Sequence, residues 1–254
     1  MENEEQIVVI ETTGKEVKKN PINQNQIAGA IIIAGILIAG AILLKGGGTT
    51  TTDPVKLEAK ITKSTATFSA CLDSGKYTEA VAASTSSGST AGVNGTPKGF
   101  ILKDNKVVAT IDGAEPTKMT TDKIDKALNG NMPEIINKLT PVSTSDFVLG
   151  SPTAPVTIVL YVDFQCPFCG KFFKETEQNV LANYVKDGKV KLVSRDFAFL
   201  GEESQKSAEA ARCANDQGKF WEYHDYLFTH QNGENKGNFS NLNLKTFAKE
   251  VGLK

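Results

Sequence analysis

Histidine is scarce in this chain of 254 residues: there are two, His224 and His230. That leaves little material for a histidine-rich metal site or a histidine-based catalytic triad. An excess of charge of one sign is also missing. The 28 Lys+Arg against 29 Asp+Glu give a formal net charge of −1. The chain therefore has neither the basic footprint of a nucleic-acid binder nor an acidic tail. Cysteine is sparse as well. Cys71, Cys166, Cys169 and Cys213 are too few to staple a small scaffold that lacks a core. With 40% hydrophobic residues the composition is globular, not disordered or collagen-like. Two of the four cysteines form a CxxC, and that spacing points to chemistry.

One long apolar run is present at residues 27–44, IAGAIIIAGILIAGAILL, 18 residues without a charge. As a helix it would span ~27 Å, close to the hydrocarbon thickness of a bilayer. Ala39-Gly40-Ala41 resembles a signal-peptide cleavage site, and a buried core helix is a further alternative. Against cleavage, the 26 residues ahead of the run carry five glutamates, unlike a short basic leader. The reading is a cytoplasmic segment at 1–26 and a single-pass anchor at 27–44. Lysine counting leaves the orientation tied: Lys15, Lys18 and Lys19 precede the run, and Lys45, Lys56 and Lys60 follow it. Residues 45–55, KGGGTTTTDPV, read as a linker, because glycines and a threonine run cannot pack a core. Residues 56–254 are long enough for one core.

Within that part, residues 155–164, PVTIVLYVDF, read as a strand buried on both faces. Gln165-Cys166-Pro167-Phe168-Cys169-Gly170 follows. Residues 171–187 then show helical spacing through Phe172, Phe173, Thr176, Val180 and Tyr184, and Gly188 ends the helix. KVKLVSRDF at 189–197 is the next strand. CPFC therefore sits at the strand-to-helix junction of a βαβ unit. A cysteine at a helix N-terminus meets unpaired N–H groups and the positive end of the macrodipole, which favour a thiolate. The second cysteine lies one turn on, within disulfide reach. Half of a zinc site and a purely structural disulfide are the alternatives, although no second CxxC completes a zinc site.

DFVLGSPTAPVTIVLYVDFQCPFCGKFFKE, KVKLVSRDF, AEAARCANDQGKFWEYHDYLF and LKTFAKEVGL resemble the DsbA-like thiol–disulfide oxidoreductases of the thioredoxin superfamily. The likeness covers 147–254 densely. It implies an α/β, thioredoxin-like fold with an inserted helical subdomain, in which βαβ is followed by ββα. Here the second half lies upstream. FSACLDSGKYTEAV at 68–81 resembles the family segment that normally follows the FAKEVGL helix. Gly92-Val93-Asn94-Gly95-Thr96-Pro97 resembles the family's cis-proline loop. GFILK and KVVATI flank an Asp104-Asn105 turn in a hairpin pattern, and residues 117–128 close the unit as a helix with Ile124, Ala127 and Leu128 on one face. The expectation is a circular permutation, with 56–130 as the family's C-terminal half, 131–146 as the joining segment and 147–254 as its N-terminal half. A fragment of a tandem array, or two chains exchanging halves, is the rival to a closed monomer.

The resemblance implies roles. Cys166 is the attacking sulfur and the more exposed of the pair, and Cys169 is the resolving one. Pro167 and Phe168 tune the site. Thr96 and Pro97 sit against the cysteines. Cys71 and Cys213 form a structural disulfide, with two buried free thiols as the alternative. Phe168 stands where strongly oxidising members carry histidine. Leu160 stands where relatives place a buried carboxylate, and Asp163 is expected to project differently. Residues 84–90, STSSGST, have poor helix propensity, although the likeness puts them on a helix. His224 and His230 read as packing residues. The implied function is oxidation of cysteine-containing protein substrates outside the cytoplasm by a domain anchored at the cell membrane. Re-oxidation by a membrane quinone-linked thiol oxidase is implied too, with no cofactor beyond the dithiol and no nucleic-acid partner. A reductase of the same fold and a non-enzymatic peptide-binding module are the alternatives.

Overall fold

The structure, a computed structural model, describes residues 58–62, 65–130 and 132–254. The expected cytoplasmic segment, anchor and linker at 1–55 lie outside the described residues. Among the described residues no helix is long and apolar enough to cross a membrane.

Helices α1 (Ala66–Asp73) and α2 (Thr78–Thr90) lead into strands β1 (Lys98–Lys103) and β2 (Lys106–Asp112) and helix α3 (Thr117–Leu128). Strands β3 (Phe147–Leu149) and β4 (Val156–Val162) follow, and then helix α4, which opens as Pro167–Phe172. Strand β5 (Val190–Asp196) and helices α5 (Glu202–Asn215), α6 (Phe220–Thr229) and α7 (Asn241–Glu250) complete the chain. The five strands form one mixed sheet in the order β2-β1-β4-β5-β3. β4 and β5 are parallel, joined by α4 as in any βαβ unit. β1 pairs antiparallel with both β2 and β4.

The turn between β1 and β2 is Asp104-Asn105, with φ of +51° and +62°. Both residues tolerate the left-handed region that a two-residue hairpin demands. All seven residues of β4 are buried, as its unbroken apolar run requires of a central strand. Their side chains alternate between two cores. Ile158, Leu160 and Val162 join Ile101 and Leu192 under α3 and α4, while Val159 and Tyr161 join Phe100, Leu102 and Val193 on the other face.

That other face is covered by α2, which stays helical to Thr90 through the weak STSSGST stretch. Gly88 explains why. A Cβ there would come within 2.8 Å of the Phe197 ring and 3.0 Å of Tyr161, so only glycine lets the helix lie on both rings. Ser84 Oγ donates to Asp196 O, and Thr85 Oγ1 accepts from Ala198 N–H. Packing and these two bonds outweigh propensity.

The described residues of the joining segment, 132–146, form no regular element and run past the β2 edge as a strap. Ile135 N–H donates to Val107 O at 2.7 Å, and Leu139 and Val142 rest on the second core. Buried Arg195 holds its far end, donating to Thr140 O, Pro141 O and both carboxylate oxygens of Asp146. At the other side of the molecule Lys254 O accepts from Phe68 N–H, in the first turn of α1, at 2.7 Å. Close by, Cys71 on α1 is bonded to Cys213 on α5.

Helix α4 departs from the regular helix that its spacing predicts. After Phe172 come a π turn (Phe173–Glu177), one α turn (Gln178–Val180) and a second π turn (Leu181–Val185). A π turn carries one extra residue, so neighbours in sequence can face inward together. Phe172 with Phe173, and Thr176 with Glu177, are all buried.

Candidate dithiol site

Strand β4 delivers the chain to a tight turn at 163–166. Cys166 is the N-cap of α4 in an extended conformation, and Pro167 occupies the first helical position, where a missing N–H costs nothing. Cys166 N–H donates to Asp163 O and Gly170 N–H donates to Cys166 O, each at 3.1 Å. Cys166 and Cys169 are free thiols. The expected contrast in exposure is small, since Cys166 is 4% exposed and Cys169 2%. What separates them is how each would carry charge. The hydrogen bond to Cys169 draws the Cys166 thiol down to about 6, against the opposing cost of burial. Thr96 and the backbone amides of Cys169 and Phe168 assist. Burial, with Cys166 beside it, pushes Cys169 well above the usual thiol range.

The upstream half completes the site. Because β1 pairs with β4, from Lys98 opposite Tyr161 to Lys103 opposite Val156, the loop before β1 arrives beside the cysteines. The Thr96-Pro97 bond is cis, and Cys166 Sγ donates to Thr96 O at 3.3 Å. The Thr96 side chain is buried beside the two sulfurs, where its hydroxyl favours the Cys166 thiolate. Pro167 and Phe168 lie on the surface, Phe168 at 62% exposure. The structure thus brings Cys166, Cys169, Thr96 and Pro97 together, with an exposed aromatic ring at the rim. Cys71 and Cys213 lie apart, on helices α1 and α5.

Leu160 is buried in the apolar core and supplies no carboxylate. Asp163 is buried too, and its oxygens are occupied. Oδ1 accepts from Gln165 N–H and Ser204 Oγ, and Oδ2 accepts from the N–H groups of Phe199 and Leu200. It ties the turn to the loop after β5. Further side chains that sequence reasoning passed over hold the same turn. Gln165 bonds Ser204 and Asn235, and Gln231 Nε2 donates to Phe164 O and Cys166 O. A polar loop, QNGENKGN at 231–238, was their one signal in sequence.

Glu177 is the other omission. Its side chain is fully buried, and Oε1 has no hydrogen-bond partner among the described residues. His224 Nε2 lies 3.9 Å away, and His224 Nδ1 lies 2.9 Å from half-exposed Asp225. Glu177, His224 and Asp225 offer three ligand atoms within 4.8 Å of one another. The two imidazole nitrogens lie nearest different carboxylates, however, and three ligands fall short of the four that close a structural zinc site. Burial raises the Glu177 carboxyl to about 7; His224 opposes the rise and Asp225 adds to it. From pH 4.5 to 7 the folded chain therefore holds a proton that the unfolded chain releases, so stability falls as pH rises. At 1.36 kcal/mol per pH unit the loss reaches about 3 kcal/mol above pH 7. Glu177→Gln is expected to match the parent at pH 4.5 and exceed it by that amount at pH 8 in urea unfolding. An advantage that does not change with pH would contradict this account.

A mixed sheet, a CxxC at the start of a helix and a cis-proline facing it define a thioredoxin-like dithiol domain. Comparison with known proteins agrees. Residues 143–253 match the family described as Thioredoxin. Disulfide bond formation protein D of Bacillus subtilis is 33% identical over 86 residues, 33% of this chain and 39% of the relative. Na(+)/H(+) antiporter NhaA 3 of Salinispora tropica is 39% identical over 109 residues, 42% of this chain but 16% of the antiporter. The oxidised crystal structure of BdbD from Bacillus subtilis is 26% identical, with a TM-score of 0.38, over 44% of this chain and 68% of that one. The chain spans well under half the length of the two curated relatives named here. The likeness to DsbA-like members of the thioredoxin superfamily, drawn from the sequence, is borne out by the family match and by the disulfide bond formation protein.

Proposed function

We propose that this chain is a thiol–disulfide oxidoreductase that donates the Cys166–Cys169 disulfide to cysteine-containing proteins outside the cytoplasm. The observation that carries the reading is the geometry of the pair: Cys166 is the N-cap of α4, with Cys169 one turn on and the carbonyl of the cis Thr96-Pro97 bond 3.3 Å from Cys166 Sγ, an arrangement in which Cys166 is drawn down to about 6 while Cys169 is pushed up. In the oxidised protein a client thiolate attacks Cys166 Sγ. The Cys166–Cys169 bond breaks, its electron pair leaves on Cys169, and Cys169 takes up a proton. A second client thiolate then attacks the client sulfur of the mixed disulfide, and Cys166 departs as a thiolate. The client is oxidised by two electrons and the pair is reduced by two. A stable Cys166 thiolate is a good leaving group and favours the reduced protein, so the flow runs toward an oxidised client. The Thr96 backbone and the exposed Phe168 ring offer an edge and an apolar contact to an extended client segment.

The chain is a circularly permuted member of its family in this reading, closed within one subunit. Support comes from the contact of the downstream segment with α1, where Lys254 O accepts from Phe68 N–H and from Gln217 Nε2. The pairing of β1 with β4 within one chain supports it as well. The apolar run at 27–44 anchors the domain at the outer face of the cell membrane, where a quinone-linked thiol oxidase re-oxidises it. A similar stretch within a protein named as an antiporter is compatible with work at a membrane.

The test is direct. The oxidised full chain, mixed with a reduced unfolded protein, is expected to introduce one client disulfide for each Cys166–Cys169 disulfide lost. Its equilibrium with glutathione is expected to lie on the oxidising side. A potential at or below about −270 mV, that of thioredoxin, would overturn donation and mark a reductase.

A further inference from the structure

We infer that Gln231 is a positioning residue for the dithiol: its side-chain amide, brought from the helical subdomain, clamps the turn carrying Cys166 and holds the first turn of α4 against the sulfur. The inference deepens the oxidoreductase reading and rests on it for the role of Cys166.

Two independent features of the geometry carry it. First, one amide nitrogen serves two backbone carbonyls on either side of Gln165. Gln231 Nε2 donates to Phe164 O at 2.6 Å and to Cys166 O at 3.1 Å. Cys166 O also accepts from Gly170 N–H, the first hydrogen bond of α4. Gln231 thus grips the carbonyl on which the helix is built. Second, the residue facing it is Gly170, where a Cβ would overlap Gln231 Oε1. Gly170 lies inside a helix, where glycine is a poor choice for the backbone. The space it leaves is filled by the Gln231 amide. The same loop adds a neighbouring grip, since Asn235 N–H donates to Gln165 Oε1 at 2.6 Å.

The chemical consequence follows from what stabilises the Cys166 sulfur. The backbone amides of Phe168 and Cys169 belong to the first turn of α4 and favour its thiolate. They act only while that turn is formed and aimed at Sγ, and helix ends fray when they are not held. Loss of the clamp therefore weakens the thiolate, which disfavours the reduced protein and makes the disulfide a weaker oxidant.

The test uses Gln231→Met, which keeps the size and removes both donors, and Gly170→Ala, whose methyl displaces the amide. The readouts are the titration midpoint of the Cys166 thiolate by ultraviolet absorbance and the equilibrium constant with glutathione. Thermal unfolding confirms that each variant is folded. Q231M is expected to raise the midpoint by about one pH unit and shift the equilibrium about tenfold toward the oxidised protein, which is about 30 mV. G170A is expected to move both readouts the same way, and the double variant to go no further. A midpoint unchanged in folded Q231M, or in folded G170A, overturns the inference, as do effects that add in full. Failure of the parent to exchange with glutathione would instead sink the oxidoreductase reading, because the midpoint reports on Gln231 without any client.

Discussion

Cys166→Ala and Cys169→Ala are each expected to reduce client oxidation to the uncatalysed background, a loss of at least ~10³-fold, because neither retains a disulfide to donate, but only Cys169→Ala should form mixed disulfides with clients that already carry one. The two outcomes differ because the two sulfurs differ. At about 6, Cys166 is roughly nine tenths ionised at pH 7, against a few per cent for an ordinary thiol. It is the sulfur that attacks a disulfide and that departs from the mixed disulfide as a thiolate. Cys169, held protonated by burial, has no charge with which to begin, so C166A leaves no reactive sulfur. In C169A the remaining Cys166 thiolate still attacks a client disulfide, the reverse of donation: one client sulfur leaves as a thiolate, and no Cys169 thiol follows to release the mixed disulfide. Covalent complexes that reducing agent releases should accumulate on non-reducing gels. A finer consequence follows from the cause of the shift. The largest contribution at Cys166 is its hydrogen bond with Cys169. Removal of that donor should move the pH midpoint of Cys166 alkylation upward, toward the ordinary thiol range. Below the midpoint the reaction slows in both proteins, and the C169A profile is displaced to higher pH. A midpoint that stays near 6 in C169A would assign the stabilisation to the α4 amides and Thr96 instead.

The parts of this site that were legible in sequence are those with local pattern. A buried strand, a CxxC and a glycine-stopped helix announce the βαβ unit. Asp104-Asn105 between two apolar runs announces the hairpin. That hairpin lies against β4, which no periodicity states; resemblance supplied it, since β1 meets β4 across some 60 residues of chain (Lys98 opposite Tyr161). Propensity misled at 84–90. The decisive contacts there, Gly88 on Tyr161 and Phe197, come from residues far along the chain. The burial of Glu177 was hidden for a different reason. A glutamate beside the inward-facing Thr176 reads as a side chain at the rim of the helix, pointing to solvent, whereas the π turn that carries both residues leaves both buried. Gln231 and Asn235 left no signal beyond a polar loop, and Ser204 left none, because polar residues that bond backbone groups carry no period. Asp163 shows the limit most clearly. A carboxylate near a cysteine pair invites a reading as a proton acceptor, yet its oxygens accept from two backbone amides of the loop after β5, from Gln165 N–H and from Ser204.

Removal of the second disulfide should cost the domain about 5 kcal/mol of stability without touching the first. Cys71 and Cys213 are 142 positions apart in sequence and joined through sulfur. Cross-linking so long a loop removes much chain entropy from the unfolded state, about 5 kcal/mol at this length on the loop-closure account. The disulfide also spans the two segments that the permutation reorders, because α1 belongs to the upstream half and α5 to the downstream half. Other ties at this seam are modest: Lys245 to half-exposed Asp73, and Lys76 and Tyr77 to Asp216. The exposed Lys76–Asp216 pair contributes roughly 0–1 kcal/mol and does not replace the covalent link; Lys245 is buried, but its partner Asp73 is half-exposed. The C71A/C213A variant is expected to unfold at a much lower urea concentration with the slope of a still cooperative transition. The Cys166 titration midpoint should stay at its parental value in the folded range, because neither sulfur of the second disulfide contributes to it. A stability change below about 1 kcal/mol would show that the unfolded chain already keeps α1 and α5 together. A displaced Cys166 midpoint would show that the seam and the dithiol are coupled through α5, whose Ser204 bonds Asp163 and Gln165 at the active-site turn.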